Sequence, residues 1–165
     1  MSNLLKRYSC RSFTDENIIE KDITALLTSA MQAPSACNQQ PWEFIVVDDK
    51  DTLKQLSKAS KGAWMLAEAN RAIIVVMTTT EPSPHMRPQD CAAATQNILL
   101  EATNLGLGAV WIGVYPLEER TNYINPILNV TNDKTVFSMI AMGHPSKEKD
   151  VVLRYDANRV YRNKM

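Results

Sequence analysis

The sequence predicts strands and helices that mix along the chain, with helices enough to cover both faces of a sheet. Two observations predict it. Four runs rich in β-branched and apolar residues have the length of buried strands, and between them lie segments whose apolar residues recur at helical spacing. The 165 residues make one domain, residues 1–165, large enough for a real core.

The elements follow in order. In residues 22–32, Ile23, Leu26, Leu27, Ala30 and Met31 fall at helical spacing, and Thr14, Asp15 and Glu16 upstream offer turn and cap chemistry. Pro34 stops that helix, because proline lacks the N–H a helix interior needs. Residues 43–47 read as a buried strand ending at Asp48 and Asp49, and residues 51–58 as a short helix with Leu53 and Leu56 facing in. Residues 72–77 are a second core strand by their β-branched content. A polar, proline-broken loop covers 78–88, and the longest helix covers 89–105. The alanines and leucines of that helix suit tight burial on several sides, and Gly106 is placed to end it. Residues 109–114 read as a third strand, 117–124 as a helix, 136–143 as a fourth strand, and 144–165 as a polar, irregular tail.

Lys+Arg and Asp+Glu each number 18. A chain without net charge is not a general nucleic-acid binder, which needs a basic face, so any anion site must be local. Cys10, Cys37 and Cys91 are scattered, no CxxC occurs, and His85 and His144 are isolated. That gives no metal or disulfide framework and fits a reducing cytoplasm. The N-terminus lacks the apolar run of a signal peptide, and no segment has the apolar length of a membrane span. No membrane partner is expected.

Four stretches could carry chemistry. In Arg7-Tyr8-Ser9-Cys10-Arg11, an extended backbone would point Arg7, Ser9 and Arg11 to one side. That comb suits an anionic, planar ligand, since guanidinium forks match phosphate oxygens in pairs; a solvated basic turn is the plainer reading. The connector from Ala33 to Trp42 (APSACNQQPW) holds two prolines and a density of hydroxyl and amide groups that a plain link does not need. A self-capped structural turn explains it equally. Ser35 has no G-x-S-x-G setting, so a serine hydrolase is not indicated. The glycines at 106, 108 and 113 follow a helix and lead into a strand, the reverse of the dinucleotide-binding order. They either cap and turn the chain or let backbone N–H groups approach a ligand. In the tail, charged and bulky residues alternate around Arg154 and Arg159, a pattern of ordering against something.

Together these stretches resemble the nitroreductase family of FMN-dependent NAD(P)H oxidoreductases. The resemblance runs nearly end to end. It comprises Arg7-x-Ser9-x-Arg11, then Ala33-Pro34-Ser35-x-x-Asn38-x-Gln40-Pro41-Trp42 leading into Phe44-Ile45-Val46-Val47. It continues with Asp90 through Gln96-Asn97 and Leu99 to Gly106-Leu107-Gly108-x-x-Trp111-Ile112-Gly113, and closes with Gly143-His144-Pro145 and Arg154-Tyr155-Asp156.

What the resemblance implies is specific. The fold would be α+β, a three-layer nitroreductase-like arrangement with a central mixed β-sheet flanked by helices, in an interlocked homodimer with FMN at the interface. Arg7, Tyr8, Ser9, Arg11 and Arg154 would hold FMN from one subunit, and Pro34, Ser35, Ala36 and Asn38 from the other. The backbone at Trp111, Ile112 and Gly113 would lie close to the isoalloxazine ring. NAD(P)H would deliver hydride through flavin N5 to nitroaromatics, quinones or similar conjugated acceptors in a ping-pong cycle. The cofactor would carry the chemistry, with no side chain catalytic beyond Arg11 as electrostatic stabiliser near flavin N1 and O2. A second reading keeps the same cradle for a non-turnover protein that stores FMN or senses redox state.

Smaller expectations accompany these. Arg154 rather than Arg159 is the late phosphate ligand, by the Arg-Tyr-Asp match. Cys10 and Cys37 are small buried fillers, Lys61 ends a solvated helix, Trp64 packs in the core, and residues 80–86 border a substrate channel. Arg7 and Arg11 would stand roughly 13 Å apart in extended chain, at about 3.3 Å per residue. The comb would then lie along FMN, with Arg7 at the phosphate and Arg11 towards the ring.

Overall fold

The computed structural model describes residues 2–79 and 82–165. Among the described residues five α-helices and four strands follow in the order α1 (Asn3–Lys6), α2 (Glu20–Met31), β1 (Trp42–Val47), α3 (Lys50–Leu56), β2 (Arg71–Met77), α4 (Arg87–Asn104), β3 (Gly108–Gly113), α5 (Glu118–Leu128) and β4 (Thr135–Gly143).

The strands form one sheet in the order β1-β2-β4-β3. Central β2 and β4 are buried along almost their whole length, which is why they read as continuous apolar runs rather than alternating ones. Their side chains still alternate between faces. Ile73, Val75, Ile140 and Met142 pack against Leu26 and Ala30 of α2 and Ala94 and Ile98 of α4. Ile74, Val76, Met139 and Ala141 pack the other way, with Leu53 and Leu56 of α3 and Ile124 of α5. Burying each such Leu or Ile contributes about 1.5–3 kcal/mol. The result is the three-layer arrangement expected, helices on both faces of the sheet.

The sheet is less mixed than the resemblance implies. Every pairing among the four strands is antiparallel. Among the described residues the parallel component is one isolated bridge, Ser9 to Ala109, on the edge strand β3. It cannot lengthen, because the chain turns at once: Phe13 bridges Pro145 and the Thr14 N–H donates to His144 O at 2.8 Å.

Three readings from the sequence are corrected. Helix α4 starts at Arg87, with Pro88 inside its first turn, where a missing N–H costs nothing. Helix α5 continues to Leu128 through Pro126 rather than ending at 124. Ile127 and Leu128 pack onto the α3/α5 side of the core, and that burial outweighs the lost helical hydrogen bond. Trp64 is 49% exposed, not in the core. It opens a short 3-10 turn, Trp64–Ala67, that buries Met65 and Leu66 instead. By contrast Gly106 ends α4 as expected, at φ 74°, with its N–H on Thr103 O and the Leu107 N–H on Ala102 O, a Schellman closure.

Thr80 and Glu81, part of the expected channel border, lie outside the described residues; residues 84–86 form a 3-10 turn, Pro84–Met86. Among the described residues no helix is long and apolar enough to cross a membrane.

Candidate functional site

The comb is fastened to β3 before it can hold anything. The Cys10 N–H donates to Ala109 O at 3.0 Å, and the Cys10 side chain lies buried directly over Gly108. A Cβ on Gly108 would stand 2.5 Å from Cys10 Sγ, and one on Gly143 would stand 2.9 Å from the Phe13 ring. The two glycines are therefore the seats for the N-terminal segment. Beyond it, the Ser12 and Ser146 hydroxyls meet at 2.6 Å and the Ser146 N–H donates to Ser12 O at 3.1 Å. The Tyr8 hydroxyl donates to Lys147 O at 3.0 Å. Burial, above all, pushes the Tyr8 phenol up to about 12, with a Cys10 hydrogen bond adding to it, so it remains a neutral donor.

These contacts bring the N-terminal segment against the tail and leave a cavity of about 560 Å³ between them. One wall carries Arg7, Tyr8, Ser9 and Arg11; the other is residues 149–155, including Arg154. Cys10 alone of residues 7–11 is turned away, into the core. Arg11 is exposed and its Nη1 folds back to donate to Ser9 O at 3.3 Å. Arg159 is absent from the cavity wall and instead pairs with Asp156 at 3.3 Å.

The second predicted group lies elsewhere. Pro34, Ser35, Ala36 and Asn38 line no part of that cavity. They sit in the link between α2 and β1, on a 3-10 turn, Ala36–Asn38. Its backbone is unusual: Cys37, Asn38 and Gln40 have φ of 51°, 53° and 47°. Left-handed backbone costs a non-glycine residue on the order of 1–3 kcal/mol, with Asn tolerating it best. Ser35 Oγ accepts from the Gln40 N–H at 2.9 Å, and Gln40 Nε2 donates to Asn38 Oδ1 at 3.1 Å. Cys37, expected to be a buried filler, is exposed.

Asp90 anchors the same loop, and sequence reasoning gave it no role. Oδ1 accepts from the Ala36 N–H at 3.0 Å and Oδ2 from Gln39 Nε2 at 2.7 Å. Its legible signals were its place at the start of the Asp90 to Asn97 stretch of the resemblance and in the first turn of a helix.

On β3, Ile112 is buried in the α3/α5 side of the core, while Trp111 tilts against Phe137 at 5.9 Å between ring centroids. Gly113 is exposed, with no atom within 4 Å of a Cβ position. Of the three predicted backbone contacts, Gly113 is the open one. Its carbonyl accepts from Arg120 Nη1 at 2.5 Å.

Register shows how far apart the groups lie. Trp42 pairs with Met77, Met77 with Thr135, and Gly113 with Ser138. The loop before β1 therefore lies at the end of the sheet where β3 finishes, whereas the comb lies where β3 starts. It also leads into the opposite edge strand. The two groups occupy diagonal corners of one chain.

The Nitroreductase family profile matches residues 4–79 and 65–144. An Archaeoglobus fulgidus protein provisionally named NADH dehydrogenase/NAD(P)H nitroreductase is 43% identical, over 96% of this chain and 94% of its own. A Clostridium acetobutylicum structure, provisionally named NADH oxidase, superimposes with a TM-score of 0.95 at 40% identity, over 99% of both chains. An FMN-dependent nitroreductase from Clostridium difficile R20291 superimposes at 0.93 with 30% identity, again over 99% of both. With its matched sequence spanning nearly every element of the fold, this chain belongs to the nitroreductase family.

Proposed function

We propose that the protein is an FMN-dependent oxidoreductase that takes hydride from NAD(P)H and passes it to nitroaromatic, quinone or similar conjugated acceptors. The observation that carries this reading is the cavity on which Arg7, Ser9, Arg11 and Arg154 converge from two walls, in a chain without net charge. The donor set fits FMN. Guanidiniums on both walls suit a terminal phosphate, Ser9 adds a neutral hydroxyl, and the volume lies in the range of small-molecule sites, about 300–1,000 Å³. Bound FMN supplies hydride transfer at N5, with NAD(P)H and the acceptor taking turns over it.

The chain's own residues bind and orient. Arg7 and Arg154 hold the phosphate end, and Tyr8 braces the tail wall through Lys147 O. Arg11 provides a cation for the ring end. Gly113 leaves backbone open to the ring. The loop carrying Pro34, Ser35, Ala36 and Asn38 comes from a second copy, which explains why it lies at the far corner of its own chain. Apolar side chains exposed beside the cavity support a homodimer: Leu4 at 62%, Leu153 at 68% and Tyr155 at 83%.

Steady-state assay with NADH and NADPH against a panel of acceptors tests the reading. Acceptor-dependent nicotinamide oxidation, with parallel double-reciprocal plots, is the expected result. Tight FMN binding without oxidation of either nicotinamide would favour flavin storage or sensing instead.

A further inference from the structure

We propose that Asp90 is a positioning residue for the FMN site, acting through Gln39 to lock the Ser35–Asn38 loop in its ligand-ready conformation. The inference rests on the FMN reading above and adds a residue to it. Asp90 is 6% exposed, and among the described residues no Lys or Arg pairs with it. A buried carboxylate without a cation is costly unless donors converge on it. Here each oxygen takes one: Oδ1 the Ala36 N–H at 3.0 Å and Oδ2 the Gln39 amide at 2.7 Å. Its place in the first turn of α4 adds the favourable end of the helix dipole.

Gln39 extends the lock. Its Nε2 also donates to Ser83 O at 2.9 Å, and its Oε1 accepts from the Ser83 N–H at 3.2 Å. One side chain thus mimics a strand partner for Ser83 while tied to Asp90. The residues so gripped flank the left-handed run at Cys37, Asn38 and Gln40. Strained backbone persists only where surroundings over-determine it, and such strain marks ligand clamps. Asp90 draws the Ala36 N–H inward, and Pro34 and Asn38 are left exposed on the other side of the turn. Ion-dipole hydrogen bonds at a buried carboxylate are strong enough to hold that geometry.

The test compares wild type, Asp90→Asn, Gln39→Ala and the exchange Asp90→Asn with Gln39→Glu. Each is titrated with FMN as apoprotein, melted without FMN, and its bound-flavin midpoint potential measured. Asp90→Asn puts an NH₂ where a carboxylate oxygen accepts a donor. Losing one hydrogen bond to a charged group should weaken FMN binding about tenfold and move the potential, with the apoprotein still folded. The exchange restores a carboxylate-to-amide pair with donor and acceptor reversed but sets an acceptor oxygen against Ser83 O, where Gln39 Nε2 donated, so it should recover only part of the affinity lost in Asp90→Asn. Gln39→Ala should weaken FMN binding in the same direction, which keeps the inference testable if Asp90→Asn does not fold. Wild-type affinity and potential in Asp90→Asn, or in Gln39→Ala, would overturn it. A wild-type protein that takes up no FMN would instead overturn the proposed function itself.

Discussion

At the scale of single residues, the site depends on side chains that never face the cavity. Gly108 seats Cys10 and Gly143 seats Phe13, so the arginines are aimed by what is absent beneath their neighbours. Gly108→Ala would drive a methyl group into Cys10 Sγ at 2.5 Å and Cβ at 2.8 Å. Overpacking of this kind should cost about 1–3 kcal/mol, read as a lowered midpoint in thermal denaturation. Arg7→Ala removes a charge-assisted phosphate contact and should weaken FMN retention about tenfold or more; unchanged affinity would refute its role. Arg11→Ala should make bound flavin harder to reduce, read as a more negative midpoint potential. The cysteines give an independent check on the loop. Burial, then the neighbouring Asp90 charge, pushes the Cys91 thiol up to about 12, with Arg87 opposing, and Cys10 is buried. Thiolate is the reactive form, and the raised Cys91 stays protonated at every pH below that value. Ellman's reagent at pH 8 should therefore titrate only Cys37 in the native protein, and all three cysteines after denaturation.

At the scale of elements, the strands and helices were legible because burial writes itself into periodicity. Residues 72–77 and 136–143 announced two central strands, and Gly106 announced the end of α4. The helix read over 117–124 ended too early, since packing of Ile127 and Leu128 onto the core carries α5 on through Pro126. Trp64 misled too: its size suggested core, but a four-residue turn buries only the two side chains that face inward. The candidate site was legible as segments and not as geometry. The comb, the loop and Arg154 could be named from the sequence. The roles of Asp90 and Gln39 could not, because 54 residues separate Ala36 from Asp90 and only the fold brings them together. The tail yields a test at this scale. No residue beyond 142 belongs to either core cluster, while Arg154 lies beyond it. Truncation after Ser146 should leave a cooperatively melting apoprotein that retains little FMN. Loss of cooperative folding would show instead that the tail is part of the core.

At the scale of the whole molecule, one chain presents the two groups proposed as half-sites at opposite corners of a four-stranded sheet. The arginine half lies between the N-terminal segment and the tail, and the strained loop lies at the far end of the opposite edge. A second copy would bring one half to the other and cover Leu4, Leu153 and Tyr155. Light scattering on a size-exclusion column should therefore report twice the 18.5 kDa chain mass. The central claim is that these halves hold an FMN that NAD(P)H reduces and a conjugated acceptor reoxidises. Its most direct test is to add NAD(P)H without oxygen to the FMN-loaded protein, then a nitroaromatic. The flavin colour should bleach within the mixing time and return on adding the acceptor; flavin that stays oxidised in excess NADH and NADPH would contradict the account.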